Sequence, residues 1–354
     1  MYAKLERYYA STYTETEYPT LMMQRDEWRR TRPLQGVSVI DATPLCRNTI
    51  YKYLCLLDAG ADLRVSLGDL GSVDATTYEL LSEAGVEIIR PHEAVEPADI
   101  ILDCAASRIM TPPRFGVAEL TRARSELYHD ASYPVFMADA GRIKRIEACL
   151  GTGESYFRAM AQLGYKEWEG KRLVLFGSGK VGQGIIYYAQ KYHADLTLVT
   201  DTRSLEEGVA ERVGQIIDYR ETALVEAAVC EAYAVVSATG VAGSIERTLD
   251  PQPLIASSAL LACMGADDEF GASFPAERVL NQRVALNFIL KDPTQLKYID
   301  ATLALHNYGA TYLLAHPHSV KGILEPPTEL EDMLLSQTLA CGSISDELRS
   351  IGVV

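Results

Sequence analysis

Short runs of apolar residues alternate with stretches whose apolar positions recur every three to four residues, almost from one end of the chain to the other. The short runs predict strands buried on both faces, and the longer spacing predicts helices with one apolar face. In the first half, strands are expected at Val37–Ile40, Leu63–Ser66, Val86–Ile89, Ile100–Asp103 and Val135–Met137, with the clearest helices at Asn48–Ala59 and Asp74–Ala84. Pro112 and Pro113 break the pattern, and Phe115–Glu126 is expected to resume it as a helix. The second half opens with a linking helix, Glu154–Leu163, and continues with strands at Leu173–Phe176, Leu196–Val199, Ala234–Ser237 and Ala259–Ala262. Gln295–Ala315 reads as one long helix and Glu329–Leu339 as another. Strands alternating with helices are the pattern of parallel sheets covered by helices, so the fold class is α/β.

Length divides this pattern. At 354 residues the chain exceeds one ordinary core and suits two domains. The expected layout is an α/β substrate domain over 1–150 and a Rossmann-type doubly wound domain over 151–305, with the helices of 306–354 packing back on the first. A hydrophobic fraction of 48% with 23% charged residues is that of a globular chain and excludes general disorder. The net charge of -15 repels phosphate backbones and anionic lipid, so nucleic acid is not an expected partner. No apolar run is long enough to span a membrane, and Met1–Thr20, polar and rich in tyrosine, lacks the layout of a secretory signal. The seven cysteines include no C-x-x-C pair and are odd in number, which argues against a disulfide framework and a zinc site. A cytoplasmic setting is expected. Two histidines on a proline turn, His316-Pro317-His318, lack the carboxylate or cysteine spacing of a metal site, so no metal is expected.

The sharpest local signal follows Leu173–Phe176. Gly177-Ser-Gly179-Lys180-Val181-Gly182-Gln-Gly184 leads into a helix with Val181, Ile185, Ala189 and Tyr192 along one face. In a strand, loop and helix of this kind Gly177 permits the tight turn, Gly179 lets a pyrophosphate approach the backbone, and Gly182 allows close packing of helix on strand. The pyrophosphate then lies at the positive end of the helix dipole. Asp201, after the next strand, is placed to accept the ribose hydroxyls and to repel a 2′-phosphate, which points to NAD; Arg203, two residues on, could pair with such a phosphate, although a solvated charge explains it as well.

With these motifs in place the chain resembles S-adenosylhomocysteine hydrolase. Pro19-Thr-Leu-Met22 with Arg25, Pro33-Leu-Gln-Gly36, Gly151-Thr-Gly-Glu154-Ser155, Glu169-Gly-Lys171, the glycine loop and Ser237-Ala238-Thr239-Gly240 fall in that family's order, from about residue 18 to 320. Asn307-x-Gly309 with His316-Pro317 resembles the segment whose asparagine contacts the nicotinamide carboxamide. The resemblance implies bound NAD, a transient oxidation of a substrate hydroxyl, and contacts to the cofactor from Lys180, Val181, Ala238, Thr239, Gly240, Gly265 and Asn307. It also implies a homo-oligomer, dimer or tetramer. Elsewhere the chain departs from the family. Thr43-Pro-Leu-Cys46-Arg-Asn48 stands where the family carries its histidine, Asp103-Cys104-Ala105-Ala106 replaces two aspartates before two glycines, and Gly265-Ala-Asp-Asp268 lacks the family's second histidine. The family's asparagine-aspartate, the lysine after it and the aspartate four residues further meet Ala138-Asp139, Ile143 and Glu147, with Lys144 one place out of register. Cofactor-facing motifs are kept and nucleoside-facing ones are not, so a substrate other than adenosylhomocysteine is expected.

Oxidising an alcohol needs a base for the hydroxyl proton. Lys144 and Glu147, three apart on one helix face, suit base and partner, with the lysine pKa lowered if the cleft is dry; a surface ion pair explains the spacing equally well. Arg142 and Arg145 beside Lys144 suit a substrate anion or a solvated face. Asp103, at the end of a predicted strand, is the expected substrate-side carboxylate. His306 and His316 flank Asn307 and titrate in the useful range, although packing is the default role of each. Cys104 and Cys263 read as buried thiols. The expected function is an NAD-dependent enzyme that oxidises, permanently or transiently, a small polar substrate. A true adenosylhomocysteinase-type hydrolase and a catalytically silent NAD-binding regulator are the alternatives.

Overall fold

Ile100–Asp103, Pro134–Met137 and Ala234–Ser237 are buried at every position. Strands with no exposed face occur where helices cover both sides of a parallel sheet, and two such sheets make up the protein. The computed structural model describes residues 2–68, 73–91, 93–316 and 321–353, so His318 lies outside the described residues. The chain divides into a first unit of Met1–Glu147 with Gln295–Val354 and a second of Ala148–Thr294.

In chain order the first unit contributes α1 (Ala3–Thr12), α2 (Pro19–Thr31), β1 (Ser38–Asp41), α3 (Ile50–Asp58), β2 (Asp62–Ser66), α4 (Ala75–Glu83), β3 (Glu87–Ile89), β4 (Ile100–Asp103), β5 (Gly116–Glu119), β6 (Pro134–Met137) and the single turn α5 (Ile143–Arg145). A wide π-helical stretch, Ile146–Thr152, follows. The second unit holds α6 (Gly153–Gln162), β7 (Arg172–Phe176), α7 (Lys180–Lys191), β8 (Asp195–Thr200), β9 (Gln215–Asp218), α8 (Thr222–Cys230), β10 (Ala234–Ser237), α9 (Ser244–Thr248), α10 (Pro251–Ala256) and β11 (Leu260–Cys263). The chain then returns to the first unit through α11 (Leu296–Ala315), β12 (Gly322–Leu324), α12 (Thr328–Cys341) and α13 (Ser345–Ser350). All of α11 thus belongs to the first unit, whereas the pattern along the chain put the return at about residue 306.

The sheet of the second unit is parallel, in the order β11-β10-β7-β8-β9. Leu173 and Leu175 of β7 face a core with Tyr156, Trp168 and Ile185, while Val174 and Phe176 face Val225, Leu254 and Phe270 on the other side. The strand order reverses between β7 and β10, the position at which open α/β sheets bind ligands beyond the carboxyl ends of their strands. The first unit repeats the plan with β12-β6-β5-β4-β1-β2-β3 and a reversal between β1 and β4.

One expected helix is a strand. Gly116–Glu119 pairs with β4 on one side and β6 on the other, and all four residues are buried. A short apolar run does not distinguish strand from helix by its period, and here the pairing across the sheet decides. Helix α11 packs directly on this strand: a Cβ on Gly309 would come within 2.7 Å of the Ala118 Cβ. The short strands β9 and β12, absent from the sequence expectations, lie at sheet edges.

Candidate functional site

Beyond β7 the chain turns at Gly177, whose φ of 101° lies where side chains are disfavoured and where a Cβ would overlap the Ala238 carbonyl. At Gly182 a Cβ would overlap the Gly177 carbonyl, so α7 lies directly on the loop that precedes it. Gly184 has a third role: a Cβ there would overlap the Cys149 backbone, beside the crossing of α6 at Gly153. Gly179 is different. It caps α7, and a Cβ on it would meet nothing within 4 Å. Its missing side chain leaves open space rather than room for protein. Lys180, Val181 and Gly182 form the first turn of α7, where backbone amides have no acceptor within the helix and the dipole favours an anion.

This open space is part of a cleft of about 490 Å³ lined by Gly177–Gly179, Val199–Asp201, Tyr219, Thr239, Val241 and Arg247 among others. Asp201 follows β8 on the cleft wall. Arg203 donates to its carboxylate from Nε at 3.0 Å and Nη2 at 2.8 Å, and Arg220 donates from Nη2 at 2.6 Å. These hydrogen bonds, Arg203 first, hold the Asp201 carboxyl well below the usual carboxylate range. Arg220 also donates to Asp218 at 2.5 Å and lies 4.6 Å above the Tyr219 ring.

On the other wall, Ala238 packs its carbonyl against Gly177 and Thr239 lines the cleft. The amides of Thr239 and Gly240 donate to the Glu269 carboxylate at 2.8 and 2.7 Å. Glu269 is fully buried, and burial raises its pKa against the lowering effect of those amides. A Cβ on Gly265 would overlap this carboxylate. Gly265, expected beside the cofactor, is therefore a glycine that makes room for Glu269, and the Gly240 amide is engaged by the same carboxylate. Sequence reasoning missed Glu269, which has no motif of its own beyond standing four residues after a glycine at a strand end.

In the first unit, Asp103 and Glu119 end the neighbouring strands β4 and β5 as register partners. Asp103 accepts from Cys104 N, Ser107 Oγ, Arg108 N and Tyr128 Oη, the last at 2.5 Å. Glu119 accepts from the amides of Ala105 at 2.9 Å, Ala106 at 3.0 Å and Thr121 at 2.8 Å. Burial raises both carboxyls, Glu119 to about 7 with Asp103 adding to it. Together they clamp Ala105 and Ala106 at φ 55° and 52°, a left-handed conformation that glycine adopts without strain. The expected substrate carboxylate Asp103 is thus occupied in holding its own loop.

Lys144 and Glu147 do meet. Lys144 Nζ donates to both carboxylate oxygens at 2.9 and 3.0 Å and to the Leu120 carbonyl at 3.0 Å. Burial lowers the Lys144 pKa, but Glu147 and Asp139 outweigh it and the net shift is upward. The expected lowering does not occur. Arg142 pairs with Asp332 at 2.5 Å.

His306 and Asn307 are corrected as well. Both are fully buried on α11. His306 Nε2 lies 2.8 Å from the Ala118 carbonyl, and burial pushes its pKa down to about 3, far from a working acid or base. The Asn307 amide donates to Gln24 Oε1 at 2.9 Å and to the Lys52 carbonyl at 3.3 Å, which ties α11 to α2 and α3, while its buried Oδ1 has no hydrogen-bond partner among the described residues. His316 stacks on Tyr312 at 4.3 Å. Cys104 and Cys263 are buried thiols, and burial pushes Cys263 up to about 11. Among the described residues no group of three or more histidines, cysteines or carboxylates is placed to hold a metal, and no helix is long and apolar enough to cross a membrane.

No protein-family model and no curated protein matches the chain. Solved structures do. A dipicolinate synthase chain from Bacillus halodurans is 14% identical, with 80% of this chain and 99% of that one covered at a TM-score of 0.50. A 2-hydroxyacid dehydrogenase from Ketogulonicigenium vulgare is 11% identical, with 83% and 100% covered at a TM-score of 0.45. At 14% identity the likeness to the first of these is one of fold alone, and it agrees with an α/β architecture built on parallel sheets.

Proposed function

We propose that the second unit binds NAD and that the protein is an NAD-dependent enzyme of the oxidoreductase type acting on a small polar substrate with a hydroxyl or amine. The observation that carries this reading is the contrast within the glycine loop. Gly177 and Gly182 are closed against backbone, while Gly179 opens on the cleft at the reversal of strand order. The residues fit the cofactor: the first-turn amides of α7 would hold the pyrophosphate, Asp201 the adenosine ribose, and Thr239 would line the path between the two walls. Bound NAD supplies a hydride acceptor for the substrate carbon.

A second reading is favoured by a specific observation. Asp103 is committed to internal hydrogen bonds and His306 and Asn307 are buried and each bonded within the first unit, as a protein that keeps NAD as a ligand without turnover would allow. One experiment separates the readings. The purified protein is denatured, released nucleotide is identified by mass spectrometry, and NADH is titrated into the intact protein. Hydroxy and amino compounds are then screened for NADH formation, and adenosylhomocysteine for homocysteine release. Bound dinucleotide with NADH formation supports the enzyme, bound dinucleotide without turnover supports the silent binder, and homocysteine release would assign the hydrolase. A chain that takes up no dinucleotide overturns the proposal.

A further inference from the structure

We infer that the cleft of the second unit accepts the 2′-phosphorylated dinucleotide, NADP, as well as NAD, with Arg203 and Arg220 holding the phosphate; the inference rests on the dinucleotide reading above. A lone carboxylate at the end of the second strand selects NAD because it accepts the ribose hydroxyls and repels a phosphate in their place. Asp201 is not alone. Two guanidinium groups converge on it from separate loops, Arg203 at 2.8 Å and Arg220 at 2.6 Å, and Arg220 bridges to Asp218 at 2.5 Å. Two carboxylates and two guanidiniums sum to zero charge, so the wall does not expel an anion as Asp201 by itself would.

The arginines are also able to respond. The side chain of Arg203 is 72% exposed and that of Arg220 36%, so neither is locked in a buried pair. A guanidinium carries more N–H donors than these bonds use, in a planar fork that matches phosphate oxygens. Arg220 rests on the Tyr219 ring and donates to Asp201, two residues that line the cleft, so its fork stands directly behind the cleft wall. With NAD, the ribose hydroxyls share Asp201 with the arginines. With NADP, the arginines turn from Asp201 to the phosphate.

The test is a titration of NADH and of NADPH into the full-length protein, followed by fluorescence, for the wild type, Arg203→Ala, the double variant Arg203→Ala/Arg220→Ala, and Asp201→Ala. Thermal melting of each variant checks that it is folded. In the wild type the two affinities should lie within about tenfold of each other, and the double variant should lose NADPH binding by on the order of 100-fold while NADH changes by only a few-fold. Asp201→Ala should shift preference toward NADPH. A wild type that binds NADH while rejecting NADPH, or a double variant that loses both equally, overturns the inference and leaves the NAD reading intact. Failure to bind either nucleotide removes both.

Discussion

Gly265 and Glu269 compete for one volume: the space that a side chain on Gly265 would need is filled by the Glu269 carboxylate, which in turn receives the amides of Thr239 and Gly240. The loop after β10 is therefore shaped by a buried acid from beyond β11. Glu269→Gln would set a donor NH2 against one of two backbone amides and should cost about 1–3 kcal/mol of stability. Gly265→Ala should cost at least as much. Urea denaturation measures both, and unchanged midpoints would contradict the arrangement.

The glycine loop makes a sharper contrast. Gly179→Ala meets no heavy atom within 4 Å, so stability should fall by no more than the ~0.5–1 kcal/mol that alanine costs at a helix N-cap, while NADH affinity falls by about tenfold or more because the Cβ obstructs the approach to the first turn of α7. Gly182→Ala should instead destabilise the fold by about 1–3 kcal/mol, since the loop backbone must move. Calorimetry with a parallel NADH titration separates the effects; equal losses of stability in the two variants would refute the distinction.

Two buried groups on α11 should tilt the pH dependence of stability in opposite directions. Asp300 accepts from Thr20 N and Oγ1 and from Leu21 N, capping the start of α2, and burial raises its pKa to about 7. The folded state holds this proton more tightly than the unfolded chain, so its contribution is complete below about pH 4 and is lost as pH rises to 7. For His306, with its pKa lowered to about 3, the sign reverses: stability is lost as pH falls from about 6.5 towards 3. In urea melts across pH 4 to 7, Asp300→Asn should remove a decline on the order of 1–3 kcal/mol. The His306 ring should show no titration by NMR between pH 8 and 5; a midpoint in that window would place the ring in contact with solvent.

Breaking the Lys144–Glu147 pair from one side should cost more than removing it whole. Lys144→Met takes from the largely buried Glu147 carboxylate the ammonium that donates to both of its oxygens, at about 1–3 kcal/mol, and Lys144→Met/Glu147→Leu should recover part of that loss. Additive losses in the double variant would mean that the two side chains act independently.

What the sequence determined alone is what depends on near neighbours. The turn at Gly177 and the contact between Gly177 and Gly182 span six residues, the cap of α4 by Asp74 on Thr77 spans four, and the runs Ile100–Asp103 and Ala234–Ser237 carry their double-sided burial in their composition. The tertiary structure decided whatever depends on a distant partner. Gly116–Glu119 became a strand because β4 and β6 flank it, Asn307 gave its amide to Gln24, His306 met the Ala118 carbonyl, and Glu269 reached back to Thr239. Asp201 stood where the glycine motif placed it, but Arg220, 19 residues further on, sets the charge around it. The physical reason is common to all of these. A backbone turn is settled by sterics between adjacent residues, whereas a polar side chain takes whichever partner folding brings within hydrogen-bond reach, and once buried it destabilises the fold if that partner is lost.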